Sequence, residues 1–347
     1  MNENDIKRKV NDMQRKAQEN SKLDHCLICK KKITSFCNSH SLPQFVLKKI
    51  ASNGMIYNSN IFFGLSVLKN EKGVNNSGTF KRICKDCDKN MFKDYEDERK
   101  IVIPSRKKMM TQIDLKNTLR MYDKRLNEIA LYKLISSNTD NENALFNIFQ
   151  RQIVNNMDLV EIKNEFKRDI DILNKSSSSS FELIYWKKLD YVTPIAFQGH
   201  IALQGDLCGD VINDLYNPNS SYVIENINIC VFPLASETIV MMFVSNDNKK
   251  YRRFIKQFKK LKEEEQLHLI SFIIVNYSED FFIAKDVSND FLNNEILKMF
   301  TRNVTDIVSF DEEMQRVFKN TKLLELMNYK DIPNILSKDY ALNCEQH

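Results

Sequence analysis

Long apolar runs are missing from this 347-residue chain, and a signal-peptide pattern is missing as well. No run of about 18 apolar residues occurs, so the sequence offers no membrane-spanning helix. Residues 1–20 are charged and lack the apolar middle of a secretory leader. Glycine is also scarce, and the sequence has neither a phosphate-cradling glycine loop nor a G-x-S-x-G turn. We therefore expect a soluble cytoplasmic protein with no membrane partner.

Cysteine occurs eight times, and four of these residues form two C-x-x-C pairs. Tetrahedral zinc takes four thiolate ligands, and a two-residue spacing lets one tight turn present both sulfurs to the ion. The two pairs therefore predict a structural Zn²⁺ site held by Cys26, Cys29, Cys84 and Cys87. Cys37 is an alternative ligand. The other three cysteines, Cys208, Cys230 and Cys344, are scattered and are interpreted as ordinary thiols.

The net charge of +5 conceals an asymmetry between the two ends of the chain. Residues 1–110 hold 23 basic and 12 acidic side chains, a balance of +11, whereas residues 111–347 hold 28 and 34, a balance of −6. A basic segment that also carries a zinc motif is typical of a protein with a nucleic-acid partner, because lysine and arginine neutralise phosphates. The alternative is a lysine-rich solvated surface with no such partner.

The hydrophobic pattern predicts an α+β protein in four parts. Residues 1–23 form a helical lead-in, residues 24–110 a zinc module, and residues 111–175 a connector of two long helices at about 111–137 and 143–174. A serine run at 176–180 precedes a mixed sheet-and-helix domain over 181–347, whose role is unassigned.

Within the zinc module we expect a strand over 30–36 that leads to His40, a helix over 41–50, short strands such as 61–68, and a helix over 84–96. In the last domain we expect strands over 181–186, 193–204, 222–234 and 238–244, then helices at about 249–262, 264–276, 288–301 and 311–327.

The last domain contains no recognisable catalytic set. His200 and His268 are interpreted as structural histidines. The basic and aromatic run at 249–260 fits either a surface that tracks phosphates or an amphipathic helix with a solvated charged face.

The order of motifs resembles the zinc-containing HNH endonucleases of the His-Me finger group. The resemblance is carried by Cys26-x-x-Cys29, by Ser39-His40-Ser41-Leu42-Pro43 and by Cys84-x-x-Cys87-Asp88, and it covers residues 24–97. It implies a treble-clef or ββα zinc module in which the cysteines hold the fold together. His40, at the end of the first strand, would be the general base that activates water. Ser39 stands where the family usually has an acidic residue, and Asp88 where related sequences often have asparagine.

The resemblance further implies a catalytic Mg²⁺ or Mn²⁺ ion at the scissile phosphate. Asp88 is the candidate ligand or orienting group, and Asn90 or Glu96 could complete the site. The expected function is hydrolysis of phosphodiester bonds in DNA, in a setting such as bacterial restriction or phage defence. The alternative is a non-catalytic zinc module that binds nucleic acid or a protein, with His40 as a structural residue.

Overall fold

The computed structural model describes residues 3–62, 65–104, 107–175, 181–215, 217, 219, 221–278, 281–297 and 325–342. The predicted α+β class is confirmed, since helices occur together with antiparallel sheets. The chain divides into two compact units, each assembled from non-consecutive segments. The first unit comprises Met1–Ser39, Phe80–Phe92 and Leu115–Ser176, and the second comprises His40–Thr79, Lys93–Asp114 and Ser177–His347.

Helices dominate the first unit. They are α1 (Glu3–Asn20), α3 (Lys85–Met91), the part of α5 (Lys107–Ser136) from Leu115 onward, and α6 (Glu142–Lys175). The two long helices α5 and α6 lie where the sequence predicted long helices, at about 111–137 and 143–174. None of the helices in the described residues combines the length and the apolar character that crossing a membrane requires.

α6 packs against α5 along a stripe with the seven-residue repeat of paired helices. The buried side chains of this stripe are Ile148, Asn155, Leu159, Ile162, Phe166 and Asp169. Phe166 meets Tyr122 of α5 edge to face, with ring centroids 6.5 Å apart. Arg125 of α5 donates to the side-chain oxygen of Asn155 and pairs with Asp158 at 2.7 Å. The helix pair is therefore joined by apolar packing and by charged contacts.

A seven-stranded antiparallel sheet organises the second unit, with the order β3-β2-β9-β6-β7-β8-β5. Its strands are β2 (Met55–Phe62), β3 (Leu65–Gly73), β5 (Phe181–Leu189), β6 (Ile195–Ile201), β7 (Ile227–Pro233), β8 (Thr238–Ser245) and β9 (Phe282–Ile283). All residues of β7 and β8 are buried. These strands, rich in isoleucine, valine and phenylalanine, were expected from the sequence because such side chains suit a covered pleated surface.

Four further helices belong to the second unit: α2 (Gln44–Lys49), α4 (Glu98–Ile101), α7 (Arg252–Phe258) and α8 (Glu263–Tyr277). A short α9 (Asn289–Asn293) replaces the first part of the helix expected at 288–301. The strands β1 (Ser39–His40) and β4 (Thr79–Phe80) form a separate two-stranded sheet. The helix expected at 311–327 lies mostly outside the described residues, as do the serine run at 176–180 and Cys344.

Three local expectations in the zinc module are wrong. Residues 30–36 are not a strand, because Lys30 adopts a left-handed conformation (φ 60°) and the chain folds back so that Lys32 bridges His25. The expected strand at 61–68 spans the end of β2 and the start of β3, which pair antiparallel. The helix expected over 84–96 ends at Met91, followed by the cap residue Phe92.

Candidate functional site

The four predicted cysteine ligands lie together in the first unit. Their sulfur atoms are all within 4.8 Å of one another, and the Sγ atoms of Cys29 and Cys84 are 3.9 Å apart. Four thiolates around zinc at about 2.3 Å place neighbouring sulfurs about 3.8 Å apart. The predicted clustering is therefore confirmed, and the donor set fits a metal ion such as zinc.

A tight backbone turn presents the first pair of sulfurs. The N–H of Lys30 donates to the carbonyl of Cys26 at 2.9 Å, and the N–H of Cys26 donates to the carbonyl of Lys31 at 3.0 Å. The left-handed conformation of Lys30 closes this turn. Cys26 is fully buried, whereas Cys29 is half-buried.

The start of α3 presents the second pair. Cys84 is the N-cap residue of this helix, and Cys87 lies in its first turn. The backbone N–H of Cys84 also donates to Cys26 Sγ at 3.3 Å. An N–H group that points at a sulfur stabilises the thiolate that a metal requires.

The thiols differ in acidity because their surroundings differ. The pKa of Cys29 is lowered to about 7, chiefly by the hydrogen bond from the Lys31 backbone. Burial raises the pKa of Cys26 and that of Cys87. Cys29 is therefore more readily ionised than Cys26 or Cys87 before a metal binds, and a bound cation would favour the thiolate form of its cysteine ligands.

His40 lies in the second unit at the end of β1, before α2, as the sequence predicted. The imidazole is half-buried, and its Nε2 atom is 3.1 Å from the carbonyl oxygen of Val74. A carbonyl oxygen can only accept a hydrogen bond, so this contact assigns the proton of the neutral ring to Nε2. In that tautomer Nδ1 carries the lone pair that can take up a proton.

Asp88 lies in the first unit within a buried network that the sequence did not reveal. Its Oδ1 accepts hydrogen bonds from Ser39 Oγ at 2.5 Å and from Lys116 Nζ at 2.8 Å. Its Oδ2 is 3.4 Å from Cys37 Sγ, so Cys37 contacts Asp88 and is not a member of the four-cysteine group. Burial raises the pKa of Asp88, but the Lys116 charge and the hydrogen bonds together outweigh burial and hold the pKa below its usual value.

Lys116 is the residue that the sequence analysis missed. Its side chain is fully buried, and its Nζ also donates to Ser39 Oγ at 2.9 Å. The ammonium group lies 3.8 Å from the centroid of the Phe92 ring, within range of a cation–π interaction. A lysine between Ile113 and Leu119, on the apolar face of a predicted helix, was the available sequence indication.

A second buried cation is Arg82, two residues before Cys84. Its Nε is 2.8 Å from Asp123 Oδ1, and its Nη1 donates to the carbonyl of Ser21 at 2.6 Å. Its Nη2 donates to Asn127 at 3.2 Å. Arg82 thus connects the approach to the second cysteine pair with the end of α1 and with α5.

The remaining candidate residues have varied surroundings. Asn90 is exposed and Glu96 is half-buried. His268 is 2.7 Å from the carbonyl of Ile332 through Nε2 and meets the Tyr329 ring, which fits the structural role expected for it. Within the basic run, Tyr251, Phe254 and Phe258 are buried in the second unit. These aromatic rings are therefore unavailable for stacking on bases, and the run is an amphipathic helix with a charged outer face.

No family model, curated protein or solved structure matches this chain. The site must therefore be interpreted from its own chemistry. Among the described residues, the four-cysteine cluster is the one group of three or more histidine, cysteine or acidic ligands that could hold a metal. We assign no ligands to the Mg²⁺ or Mn²⁺ ion that the resemblance implies.

The cluster predicts about one zinc ion per chain. Replacing Cys84 with serine removes one thiolate, so we expect loss of the metal and unfolding of the first unit, because metal binding and folding are coupled in such sites. Metal content by plasma mass spectrometry and thermal unfolding by circular dichroism measure both effects. Cys208→Ser is the matched control, since Cys208 is exposed and outside the cluster. A Cys84→Ser protein with unchanged zinc and unchanged unfolding would contradict the assignment.

Replacing Lys116 with methionine leaves the Asp88 carboxylate without its cation. We expect the free energy of unfolding to fall by about 2–4 kcal/mol, because a mostly buried carboxylate that loses its partner is strongly destabilising. The double variant Lys116→Met/Asp88→Asn removes both charges and should recover more than half of this loss. Urea unfolding of the single and double variants tests the pair. A double variant no more stable than Lys116→Met would disprove the coupling.

Proposed function

We propose that this chain is a nuclease that hydrolyses phosphodiester bonds in DNA, with His40 as the general base and with structural zinc in the four-cysteine cluster. The observation that carries the proposal is the place of His40 at the end of β1, directly before α2, where the resemblance puts the general base. The contact between His40 Nε2 and the Val74 carbonyl fixes the tautomer and the orientation of the ring, as a general base needs. His268 makes the same kind of contact in a structural role, so the contact supports the proposal only together with the position of His40. The pairing of β1 with β4, with α3 following β4 in the chain, also supports the ββα arrangement that the resemblance implies, although α2, β2 and β3 are inserted between the two strands.

In the proposed reaction Nδ1 of His40 takes a proton from a water molecule. The water oxygen then forms a bond to phosphorus as the opposite P–O bond breaks, and the leaving oxygen takes up a proton. A divalent metal ion, when bound, would stabilise the added negative charge on the phosphate. Each zinc ligand retains a structural role only.

Asp88 enters this proposal as a structural residue and not as the metal ligand or orienting group that the resemblance suggests. Its carboxylate already accepts hydrogen bonds from Lys116 and Ser39, and Lys116 supplies the charge that balances it. Lys116 Nζ lies 2.8 Å from Asp88 Oδ1. A metal ion bound to Asp88 would therefore lie close to this buried ammonium group, which repels cations. The pairing with Lys116 therefore favours a role in holding the first unit together.

A nucleic-acid substrate is supported by the charge of +11 over residues 1–110, and the choice of DNA comes from the resemblance. Basic side chains attract a polyphosphate of any sequence, so the charge indicates the substrate class and not its sequence. The setting in restriction or phage defence is proposed from the resemblance alone.

Replacing His40 with alanine should lower the rate of plasmid cleavage by about 10²–10⁴-fold, the usual contribution of a general base. The measurement is nicking of supercoiled plasmid with added Mg²⁺ or Mn²⁺. His200→Ala is the matched control, because His200 lies on β6 of the same unit and has no proposed role. Both variants must hold as much zinc as the unmodified chain. Cleavage by His40→Ala at the original rate, or no cleavage of DNA or RNA by any of these proteins, would overturn the nuclease proposal.

A second candidate function is binding of nucleic acid by the zinc module without cleavage. It is favoured by the exposed lysines that flank or lie within both cysteine pairs: Lys30, Lys31, Lys32, Lys81, Lys85 and Lys89. Exposed ammonium groups next to a rigid metal-bound turn can contact phosphates while keeping their side-chain freedom.

If this surface binds DNA, the double variant Lys31→Glu/Lys32→Glu should weaken binding uniformly across sequences. It should also make the slope of log affinity against log salt concentration shallower, by about the amount that two phosphate contacts contribute. Fluorescence anisotropy with duplexes of different sequence, at several salt concentrations, measures both effects. The control is Lys133→Glu/Lys175→Glu, which makes the same change in net charge at exposed positions of α5 and α6. Equal loss of affinity in the two double variants would indicate that overall charge, and not this surface, governs binding.

A further inference from the structure

α6 has a second apolar face besides the one that packs against α5. Its members are Phe146, Phe149, Ile153 and Val160, whose exposed fractions are 62%, 57%, 42% and 57%. At about 100° per residue these side chains fall within one stripe, roughly opposite the buried stripe of the same helix. We call these four residues the outer stripe.

The outer stripe is unusual for this protein. Ten large apolar side chains are exposed in the described part of the chain, and five of them lie on α6. Four form the outer stripe, and the fifth, Val154, lies about 100° from Ile153 round the helix. Scattered exposed apolar side chains are normal, whereas a continuous apolar stripe marks a surface that another molecule covers. From Phe146 to Val160 the stripe is about 21 Å long.

We propose that the outer stripe binds the outer stripe of a second copy of this chain, with the two α6 helices antiparallel. The steps of three, four and seven residues along the stripe are those of helices that pair side by side. Charged side chains flank the stripe but do not interrupt it, so it offers nothing to the phosphates of a nucleic acid. A matching apolar stripe is the partner that this chemistry fits.

The charges at the two ends of the stripe favour the antiparallel orientation. Glu142 lies before the stripe on the same side of the helix, Lys163 and Lys167 lie after it, and all three are exposed. Antiparallel pairing brings Glu142 of one copy close to these lysines of the other. Parallel pairing would instead place Glu142 next to Glu142 and lysine next to lysine, which repel each other.

The side-chain sizes lead to the same orientation. The two phenylalanines lie at one end of the stripe and Val160 lies at the other. Antiparallel pairing sets the large rings of one copy against the smaller end of the other, which allows the side chains to interdigitate. This inference rests only on α6 and does not depend on the proposed nuclease activity.

The first test is the mass of the full chain in solution, by sedimentation velocity across a concentration series. We expect a dimer, and we expect Ile153→Glu to weaken it by at least about 30-fold, because a charge at the centre of the stripe would be buried without a partner. Val223→Glu is the matched control, since Val223 is 63% exposed and lies in the second unit. Zinc content and circular dichroism establish that both variants are folded. A chain that is monomeric at about 100 µM, or a dimer that Ile153→Glu leaves intact, would overturn the proposal.

The second test addresses orientation by exchanging charges. Glu142→Lys and Lys167→Glu should each weaken the dimer by up to about 30-fold at low salt, since each substitution alters two symmetry-related exposed ion pairs that contribute at most about 1 kcal/mol each. The double variant Glu142→Lys/Lys167→Glu should restore the original dimer affinity. Single variants that leave the dimer affinity unchanged would reject the antiparallel arrangement, because parallel pairing keeps like charges opposite each other in every variant.

Discussion

The four-cysteine cluster is the constraint on which the first unit depends. It joins two segments 55 residues apart in sequence, and the loop between them must close before either segment can pack. The turn at Cys26–Cys29 contacts the start of α3, where the backbone N–H of Cys84 donates to Cys26 Sγ and the four sulfur atoms cluster. Two buried ion pairs flank the second cysteine pair in sequence. Arg82, which pairs with Asp123, lies before Cys84, and Asp88, which pairs with Lys116, directly follows Cys87.

Both ion pairs connect the second cysteine pair to α5, and their spacing on that helix explains how. Lys116 and Asp123 are seven residues apart, two helical turns or about 10.5 Å, so they lie on the same face. On that face Lys116 pairs with the Asp88 carboxylate, and two turns later Asp123 pairs with the Arg82 guanidinium. The two pairs have opposite polarity, since α5 supplies the cation Lys116 to one pair and the anion Asp123 to the other. A register error would leave buried charges unpaired, so the pairs specify one alignment even where their net stabilisation is small.

The sequence was informative where the relevant pattern is local. Patterns among residues close together in sequence predicted three features: the cysteine pairs, the long helices α5 and α6, and the position of His40 between β1 and α2. It failed where a distant partner decides the outcome. Lys116 looked like an ordinary helical lysine because Asp88 lies 28 residues earlier, and the Val74 carbonyl beside His40 comes from a turn 34 residues later. The strand expected at 30–36 failed because the ligand turn imposes a left-handed residue on a sequence with strand-like composition. Units assembled from separate segments have no compositional boundary to detect.

The two proposals constrain each other through symmetry. The proposed nuclease has one general base per chain, His40, which suits cutting one strand of a duplex at a time. Antiparallel pairing of two α6 helices about Ile153 is isologous, so it generates a twofold axis. The two strands of duplex DNA are themselves related by local twofold axes, and twofold protein assemblies match them. The proposed dimer would carry two copies of His40, one for each strand of a duplex, whereas a monomeric enzyme would have to rebind in order to cut the second strand.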